Sequence, residues 1–283
     1  MAETVKCEPF PWSEHRRSLM WNLPGPGSWG ALRGIYQPVR AEHHEATVIH
    51  LPSGQTGSVL KGSHDVVLLM LRGAMDLIVG DDRLQVEQND LLIVPAGTPF
   101  KISNPNLEHA LVLSINDRGD DDLPYAMTYR KSDDEDGWDV PAGVSVTHMR
   151  WADYRREAVY RGGGSDRYGF HRGVFPFVET EHLRGHAVLV PPGQGSPWHT
   201  FAGDSIFVGL IGEIEVYSDS TVYPLGPCDI LRVRTPLYSL QNVGTENGLY
   251  FSIGSKRRKG EKAVYHEPAV LGDPLAGPGA AIS

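Results

Sequence analysis

Residues 89–97 have the sequence Asn-Asp-Leu-Leu-Ile-Val-Pro-Ala-Gly, in which four apolar residues lie between turn-forming residues. Such a run is typical of a short buried strand that begins and ends at tight turns. A related stretch, Cys-Asp-Ile-Leu-Arg-Val-Arg-Thr, occupies residues 228–235, so that Asp229 follows Asp90 by 139 residues. The second stretch has lost one residue and has Arg where the first has Pro.

The same offset of 139 residues aligns the two halves of the chain without a gap from Arg33 to Val94. Matched residues include Arg33 with Arg172, Pro52 with Pro191, Gly54 with Gly193, Asp65 with Asp204, Gly73 with Gly212 and Val94 with Val233. Glycine, proline and turn-forming aspartate set the path of the backbone, so their retention at fixed spacing indicates that one β-rich unit was duplicated.

Composition limits the fold and the partners. The chain has 283 residues with 32 Gly and 21 Pro, which favours two all-β domains of about 130 residues over a helical bundle. Two cysteines indicate a reducing compartment. No signal peptide or membrane-spanning run is apparent, so we expect a soluble, cytoplasmic protein. A net charge of −9 argues against a nucleic-acid partner.

The order of strands and turns predicts the domain boundaries. Apolar runs predict strands at Thr47–Leu51, Val66–Leu71, Met75–Val79 and Leu91–Val94, and in the second half at Ala187–Val190, Ile206–Leu210, Ile214–Tyr217, Ile230–Val233 and Leu249–Ile253. We therefore expect an N-terminal arm with a first barrel over 1–116, an acidic linker with a short helix over 117–165, a second barrel over 166–265, and a tail over 266–283.

With these turns in place, each half resembles a cupin, a small jelly-roll barrel also called a double-stranded β-helix. The resemblance extends from Gly54 to Asn104 and from Gly193 to Asn242, and residues 89–97 match the scaffold of the second cupin motif except for Asn at its leading Gly. It implies two tandem cupin barrels in one chain. Many cupins bind a metal through three His and one Glu at fixed motif positions.

The aligned sequence predicts that neither barrel has this metal site. The four ligand positions hold Leu60, Gly62, Val66 and Phe100 in the first half, and His199, Phe201, Ser205 and Tyr238 in the second. The first set has no side chain that can bind a metal, and one imidazole with neutral hydroxyl groups is a poor metal site. We therefore expect no metal and no other cofactor, and a first barrel with a structural or dimerisation role.

The second barrel retains polar groups suited to acid–base chemistry. His199 is a candidate general base near neutral pH, and Tyr238 is a candidate acid or oxyanion donor. The pair resembles the metal-free cupin epimerases, which use a His base and a Tyr acid. Ser205 is a candidate substrate contact, and Trp198 and Phe201 are candidate walls for an organic ligand.

Arg232 and Arg234 replace apolar residues of the first half and are candidate ligands for a carboxylate or phosphate. The sequence leaves open whether they face the barrel interior or solvent. The resulting hypothesis is a metal-independent isomerase, lyase or cyclase that acts on a small anionic or aromatic metabolite. Two alternatives stay open: a bicupin that only binds a small molecule, and a metal-dependent, dioxygenase-like enzyme with a non-standard site. A homodimer is possible for each.

Overall fold

The computed structural model describes residues 7–22, 33–57, 59–117, 127–130, 139–156, 173–175, 178–200, 204–218, 220–234, 237–256 and 264–265. The described secondary structure is almost entirely antiparallel β-sheet, and the strands predicted from apolar runs are all present. In the part of the chain that the structure describes, no helix has the length and apolarity needed to cross a membrane.

The strands and helices follow the chain in this order. The first half has β1 (Cys7–Phe10), α1 (Trp12–His15), a 3₁₀ turn (Arg16–Ser18), β2 (Met20–Asn22), β3 (Arg33–Ile35), β4 (Val39–Arg40), β5 (His44–Leu51), β6 (Gln55–Thr56), β7 (Val59–Gly62), β8 (Val66–Arg72), β9 (Ala74–Val79), β10 (Asp82–Glu87), β11 (Leu91–Val94), β12 (Pro99–Asn104), β13 (Ala110–Asp117), β14 (Met127–Arg130), β15 (Thr147–Met149) and α2 (Trp151–Tyr154). The second half has β16 (Gly173–Val174), β17 (Val178–Glu179), β18 (Leu183–Val190), β19 (Gly195–Thr200), β20 (Ser205–Ile211), β21 (Ile214–Ser218), β22 (Thr221–Leu225), β23 (Ile230–Val233), β24 (Tyr238–Asn242), β25 (Gly248–Ser255) and β26 (Val264–Tyr265).

Each barrel consists of two sheets that enclose an apolar core. In the first barrel the sheet order is β15-β11-β8-β13-β5-β3-β2 on one side and β10-β9-β12-β7-β14 on the other. In the second barrel the orders are β1-β23-β20-β25-β18-β16 and β22-β21-β24-β19-β26. Side chains alternate between the interior and the exterior along each strand, so both sheets contribute every second residue to the core.

The chain divides into compact units differently from the expected boundaries. The described residues of His15–Tyr154 form one unit, and those of Met1–Glu14 and Arg155–Ser283 form the other. Strand β1 pairs with β23 of the second barrel, although it precedes the first barrel in sequence. The segment expected to be a linker supplies β14 and β15 to the first barrel, where they pair with β7 and β11.

The duplicated turns explain why the two barrels have the same backbone. Gly73 and Gly212 have φ angles of 77° and 70°, and a β-carbon would lie 2.9 and 2.7 Å from a backbone oxygen of the neighbouring turn. Only glycine fits such a left-handed, crowded position without strain. Asn104 and Asn242 repeat a second contact, because each side-chain amide donates to the last carbonyl of one strand, in Leu51 or Val190, and to a carbonyl of the following turn, in Glu108 or Glu246.

Candidate functional site

The interior face of the second barrel can be identified from its apolar core. That core contains Val188, Val190, Phe207, Leu231, Val233, Tyr238, Leu240 and Tyr250, together with other residues. Because side chains alternate along a strand, residues two positions away from these also face the interior. This rule identifies which polar side chains the barrel encloses.

Ser205 is one of the enclosed polar residues, since it lies two residues before Phe207 on β20. Its neighbours across the sheet are Val233 on β23 and Gly254 on β25. Ser205 is 2% exposed, and its Oγ has no hydrogen-bond partner among the described residues. A β-carbon at position 254 would lie 3.0 Å from this oxygen. The absence of a side chain at Gly254 therefore makes room for the buried hydroxyl group of Ser205.

Tyr238 begins β24 and belongs to the interior core. Its ring meets Phe207 in an edge-on contact, with ring centroids 5.3 Å apart and ring planes at 70°. The residue directly opposite Tyr238 in the ladder with β19 is His199. The structure describes His199 by its backbone, which also pairs with Tyr265 of β26. The residues predicted to act as base and acid thus occupy opposite positions of one ladder.

Trp198 precedes His199 at an irregularity of the same strand. The register of β19 against β24 shifts between Ser196 and His199, and such a bulge changes the direction of the side chains within it. Trp198 is buried, and its Nε1 has no hydrogen-bond partner among the described residues. Phe201 lies outside the described residues. A role for these two aromatic residues as ligand walls stays a prediction.

Arg232 and Arg234 require a correction. Leu231 faces the interior core, so Arg232 and Arg234 are on the outer face of the sheet. The Nε of Arg232 donates to both carboxylate oxygens of Asp204, at 3.1 and 2.9 Å. Glu8 of β1 lies 3.8 Å from Arg232 and 3.5 Å from Arg234. Arg232 therefore pairs with Asp204, and both arginines lie near Glu8 of β1. Neither is placed to bind a substrate anion inside the barrel.

The sequence analysis missed an interior polar pair on β18 and β25. His186 lies two residues before Val188 and therefore faces the interior, where it is half-buried. Directly opposite it is Ser252, which is 6% exposed. Alternation along β18 was the available signal, but the strand was predicted to begin at Ala187 and so excluded His186.

Arg184 extends the same face towards solvent. It is paired in the ladder with Gly254, which in turn is paired with Ser205. Its Nε lies 2.9 Å from a carboxylate oxygen of Glu179, and both side chains are about half exposed. Ser205, Gly254 and Arg184 thus form one row across three strands. The row begins at the buried hydroxyl group of Ser205 and ends at the partly exposed guanidinium group of Arg184.

The donor set at the cupin ligand positions does not fit a transition metal. In the second barrel these positions offer one imidazole at His199, a serine and a tyrosine hydroxyl, and the phenyl group of Phe201. Neutral hydroxyl groups compete poorly with water for such ions. In the first barrel Leu60 and Phe100 are directly opposite in the ladder, and together with Val66 they belong to the apolar core.

Comparison with known proteins identifies the fold. No protein-family model matches the chain, and no curated protein matches its sequence. Among solved structures, salicylate 1,2-dioxygenase from Pseudaminobacter salicylatoxidans is similar with a TM-score of 0.62 at 13% identity, over 89% of this chain and 85% of that one. A protein from Pseudomonas aeruginosa described as glyoxylate-induced gives 0.64 at 13% identity, over 92% of each chain.

A variant of oxalate decarboxylase from Bacillus subtilis gives a TM-score of 0.63 at 15% identity, over 93% of this chain and 80% of that one. These three proteins are cupins with the same jelly-roll architecture. At such low identity the likeness establishes the fold and leaves the chemistry to be argued from the residues. The chain therefore has the fold of a bicupin, with two tandem jelly-roll barrels in one polypeptide.

Proposed function

We propose that the chain is an enzyme whose second barrel performs proton-transfer chemistry without a transition metal. The reaction would be of the isomerase, lyase or cyclase type, on a small anionic or aromatic metabolite. The observation that carries this proposal is the ladder pair of His199 and Tyr238. Directly opposite residues of an antiparallel ladder share a face and have β-carbons about 5 Å apart. An imidazole and a phenol at these positions are suitable for acting on one substrate.

In the proposed reaction, neutral His199 removes a proton from an acidic C–H group beside a carbonyl. The electron pair moves onto the carbonyl oxygen, which the phenol of Tyr238 stabilises by donating a hydrogen bond. Return of the proton to a different atom gives an isomer, and departure of a neighbouring leaving group gives an elimination. Neither the protein nor the substrate undergoes net oxidation or reduction in these reactions.

The substrate class follows from the other side chains on the interior face. Arg184 supplies positive charge, and Arg184 and His186 both supply hydrogen-bond donors, which favours a carboxylate. Phe207 and Tyr250 supply an aromatic surface, with ring centroids 5.5 Å apart. Ser205 adds a hydroxyl group. A carboxylate attached to a ring or to a short carbon chain matches this combination.

Deuterium exchange tests the proposal before the substrate is known. A panel of 2-oxo acids, hydroxy acids and aromatic carboxylates would be incubated with the protein in deuterated water, and incorporation would be followed by proton NMR. We expect wild-type protein to label at least one compound, and His199→Gln to slow labelling about a thousandfold. Thr98→Val, which changes a buried hydroxyl of the first barrel, should label at the wild-type rate. Equal labelling by wild type and His199→Gln would contradict the proposal.

Two measurements distinguish the alternatives. Elemental analysis that found about one equivalent of iron, manganese, nickel or zinc, lost on His199→Ala, would favour a metal-dependent enzyme. The edge-on packing of Tyr238 against Phe207 favours the first alternative, a protein that only binds a small molecule. For that protein, a ligand-bound crystal structure would place no acidic C–H or hydroxyl group within hydrogen-bonding distance of His199 or Tyr238.

A further inference from the structure

Two imidazole rings lie against each other on the outer face of the first barrel. His50 lies on β5 between Ile49 and Leu51, which both belong to the apolar core, so its side chain points to the outer face of the sheet. His109 immediately precedes β13, whose first residue, Ala110, pairs with Leu51 in the ladder. The two ring centres are 4.9 Å apart and the ring planes are at 33°. We call these two residues the histidine pair.

Solvent reaches the histidine pair directly. His50 is half-buried, and His109 is exposed. Leu107, in the same turn as His109, is 95% exposed, so the turn itself lies at the surface. Among the described residues, the His109 side chain contacts the ring of His50 and makes no hydrogen bond or ion pair. A ligand can therefore approach both rings from outside the barrel, without any space in its interior.

The surroundings of His50 favour the neutral imidazole. Burial lowers the pKa of His50 below its ordinary value of 6.5, and the nearby imidazole of His109 lowers it further, because two positive charges would repel each other. His50 is therefore largely neutral at pH 7. A neutral imidazole has the lone pair that a transition-metal ion requires. The net charge of −9 on the chain also favours the approach of a cation.

The separation of the two rings fits two ligands of one metal ion. The ion lies on the line from the centre of an imidazole ring through its bound nitrogen, about 3.2 Å from that centre for a metal–nitrogen distance of about 2.1 Å. Two ring centres would then be about 4.5 Å apart at a right angle and about 5.2 Å apart at a tetrahedral angle, however each ring is rotated about its bond to the ion. The observed 4.9 Å lies between these values.

The histidine pair is specific to the first barrel. His50 is opposite Leu111 in its ladder, and the corresponding position of the second barrel holds Leu189, opposite Leu249. The counterpart of His109 is Asn247, because the backbone oxygens of these two residues crowd the equivalent turn glycines. The second barrel forms the same strands without either imidazole, so the duplicated fold does not require the pair.

We propose that the histidine pair binds one divalent first-row transition-metal ion through a nitrogen of each ring, with water as the remaining ligands. Copper and zinc are the ions that imidazole favours most in this series, and zinc has no redox chemistry. The ion would join β5 to the turn that precedes β13, and these two strands are neighbours within the larger sheet. Its role would be to stabilise the first barrel. An ion bound here would be retained in His199→Gln, so this proposal and the proposed reaction can fail separately.

A zinc chloride titration of the full-length protein, followed by NMR of the imidazole signals, tests the site. We expect the signals of His50 and His109 to shift together and to saturate with about one equivalent of zinc. His109→Asn, which introduces the residue of the second barrel at an exposed position, should weaken zinc binding at His50 at least about tenfold. His43→Asn is the matched control, because it removes another partly exposed imidazole of the same barrel. It should leave the titration of the pair unchanged.

Hydrogen exchange tests the stabilising role. With free zinc at about ten times its Kd, exchange of the amides of Val112–Ser114 should slow about tenfold, and His109→Asn should abolish this change. The metal site would be contradicted by signals of His50 and His109 that do not shift, that shift at different zinc concentrations, or that titrate equally at His50 in His109→Asn. Slowing of exchange that persisted in His109→Asn would contradict the stabilising role, since the ion responsible would then be bound elsewhere.

Discussion

The two barrels have the same order of paired strands. On one part of the interior face, however, their charged side chains have opposite signs. At four aligned positions the first barrel has Glu45, Thr47, Ser114 and Asn116, and the second has Arg184, His186, Ser252 and Gly254. The first set contains a carboxylate and an amide, and all four of its side chains are buried. The second set contains a guanidinium and an imidazole, both of which are partly exposed. The interior of a duplicated barrel can therefore change its charge while its backbone stays the same.

The second difference lies at the strand of the repeated motif. In both barrels an aspartate accepts hydrogen bonds from two backbone amides: Asp90 from Glu87 and Trp151, and Asp229 from Gly226 and Trp12. Only Asp90 also contacts an imidazole, since His148 Nε2 lies 2.9 Å from its Oδ2. The aspartate and its backbone contacts belong to the duplicated fold, whereas His148 is an addition specific to the first barrel.

The largest expected effect concerns activity and compares two tyrosines of the second barrel. Tyr238→Phe should lower the rate of deuterium exchange about a thousandfold, because the phenol donates to the developing oxyanion. Tyr250→Phe should leave the rate within about twofold, since Tyr250 lies on the same face but in a different row from the His199 ladder pair. Rates would be measured by NMR in deuterated water. Similar losses in both variants would indicate a packing role for Tyr238.

The next effect concerns stability and compares the two aspartates. Asp90→Asn should destabilise the first barrel by about 3 kcal/mol, because it removes a buried carboxylate that contacts His148 at 2.9 Å and accepts charge-assisted hydrogen bonds from two backbone amides. Asp229→Asn should destabilise the second barrel by about 1 kcal/mol, because Asp229 is half-buried and accepts from backbone amides. Hydrogen exchange at the amides of Leu91–Val94 and Ile230–Val233 measures each barrel separately. Equal losses of stability in the two variants would show that the contact with His148 does not make Asp90 more important than Asp229.

A smaller effect should appear as the pH falls. Burial acts to raise the pKa of Asp90, but hydrogen bonds from His148 and from the amides of Glu87 and Trp151 outweigh it and lower the pKa below its ordinary value of 3.8. The stabilisation from the charged form is therefore complete above pH 3.8 and is lost as the pH falls through the lower, folded-state pKa. His148→Ala should shift the acid unfolding of the first barrel to higher pH. An unchanged midpoint of acid unfolding would show that the contact between His148 and Asp90 does not contribute to stability.

The sequence predicted the barrels and their turns because glycine, asparagine and aspartate at turns constrain the backbone locally. It did not predict that β1 joins the second barrel, since strand pairing is a long-range property. A signal was present nevertheless: Trp12 precedes Trp151 by the same 139 residues that relate the barrels. Their amides contact Asp229 and Asp90, so the duplicated unit includes the arm.

The positions of the candidate site residues could be predicted in part, and the reason lies in the alternation of side chains. His199 and Tyr238 were located by spacing within a motif, which the ladder reproduces. The orientation of Arg232 was left open because the sequence of a short strand does not indicate which of its faces is buried. His186 was missed because the apolar part of β18 begins after it. In both cases the face became known only from the residues that line the core.

The smallest effect tests how the two copies of the motif begin. Asn89 and Cys228 both have positive φ angles, 70° and 66°, at aligned positions where their amides donate to Met70 and Gly209. Asparagine tolerates this left-handed conformation, whereas cysteine is strained there. Cys228→Gly should therefore stabilise the second barrel by about 1 kcal/mol, and Asn89→Gly should change the first by less than about 0.5 kcal/mol. Hydrogen exchange at the same two strands measures both changes. A larger gain from Asn89→Gly would show that the asparagine is the more strained residue, and that the first motif departs further from the shared turn.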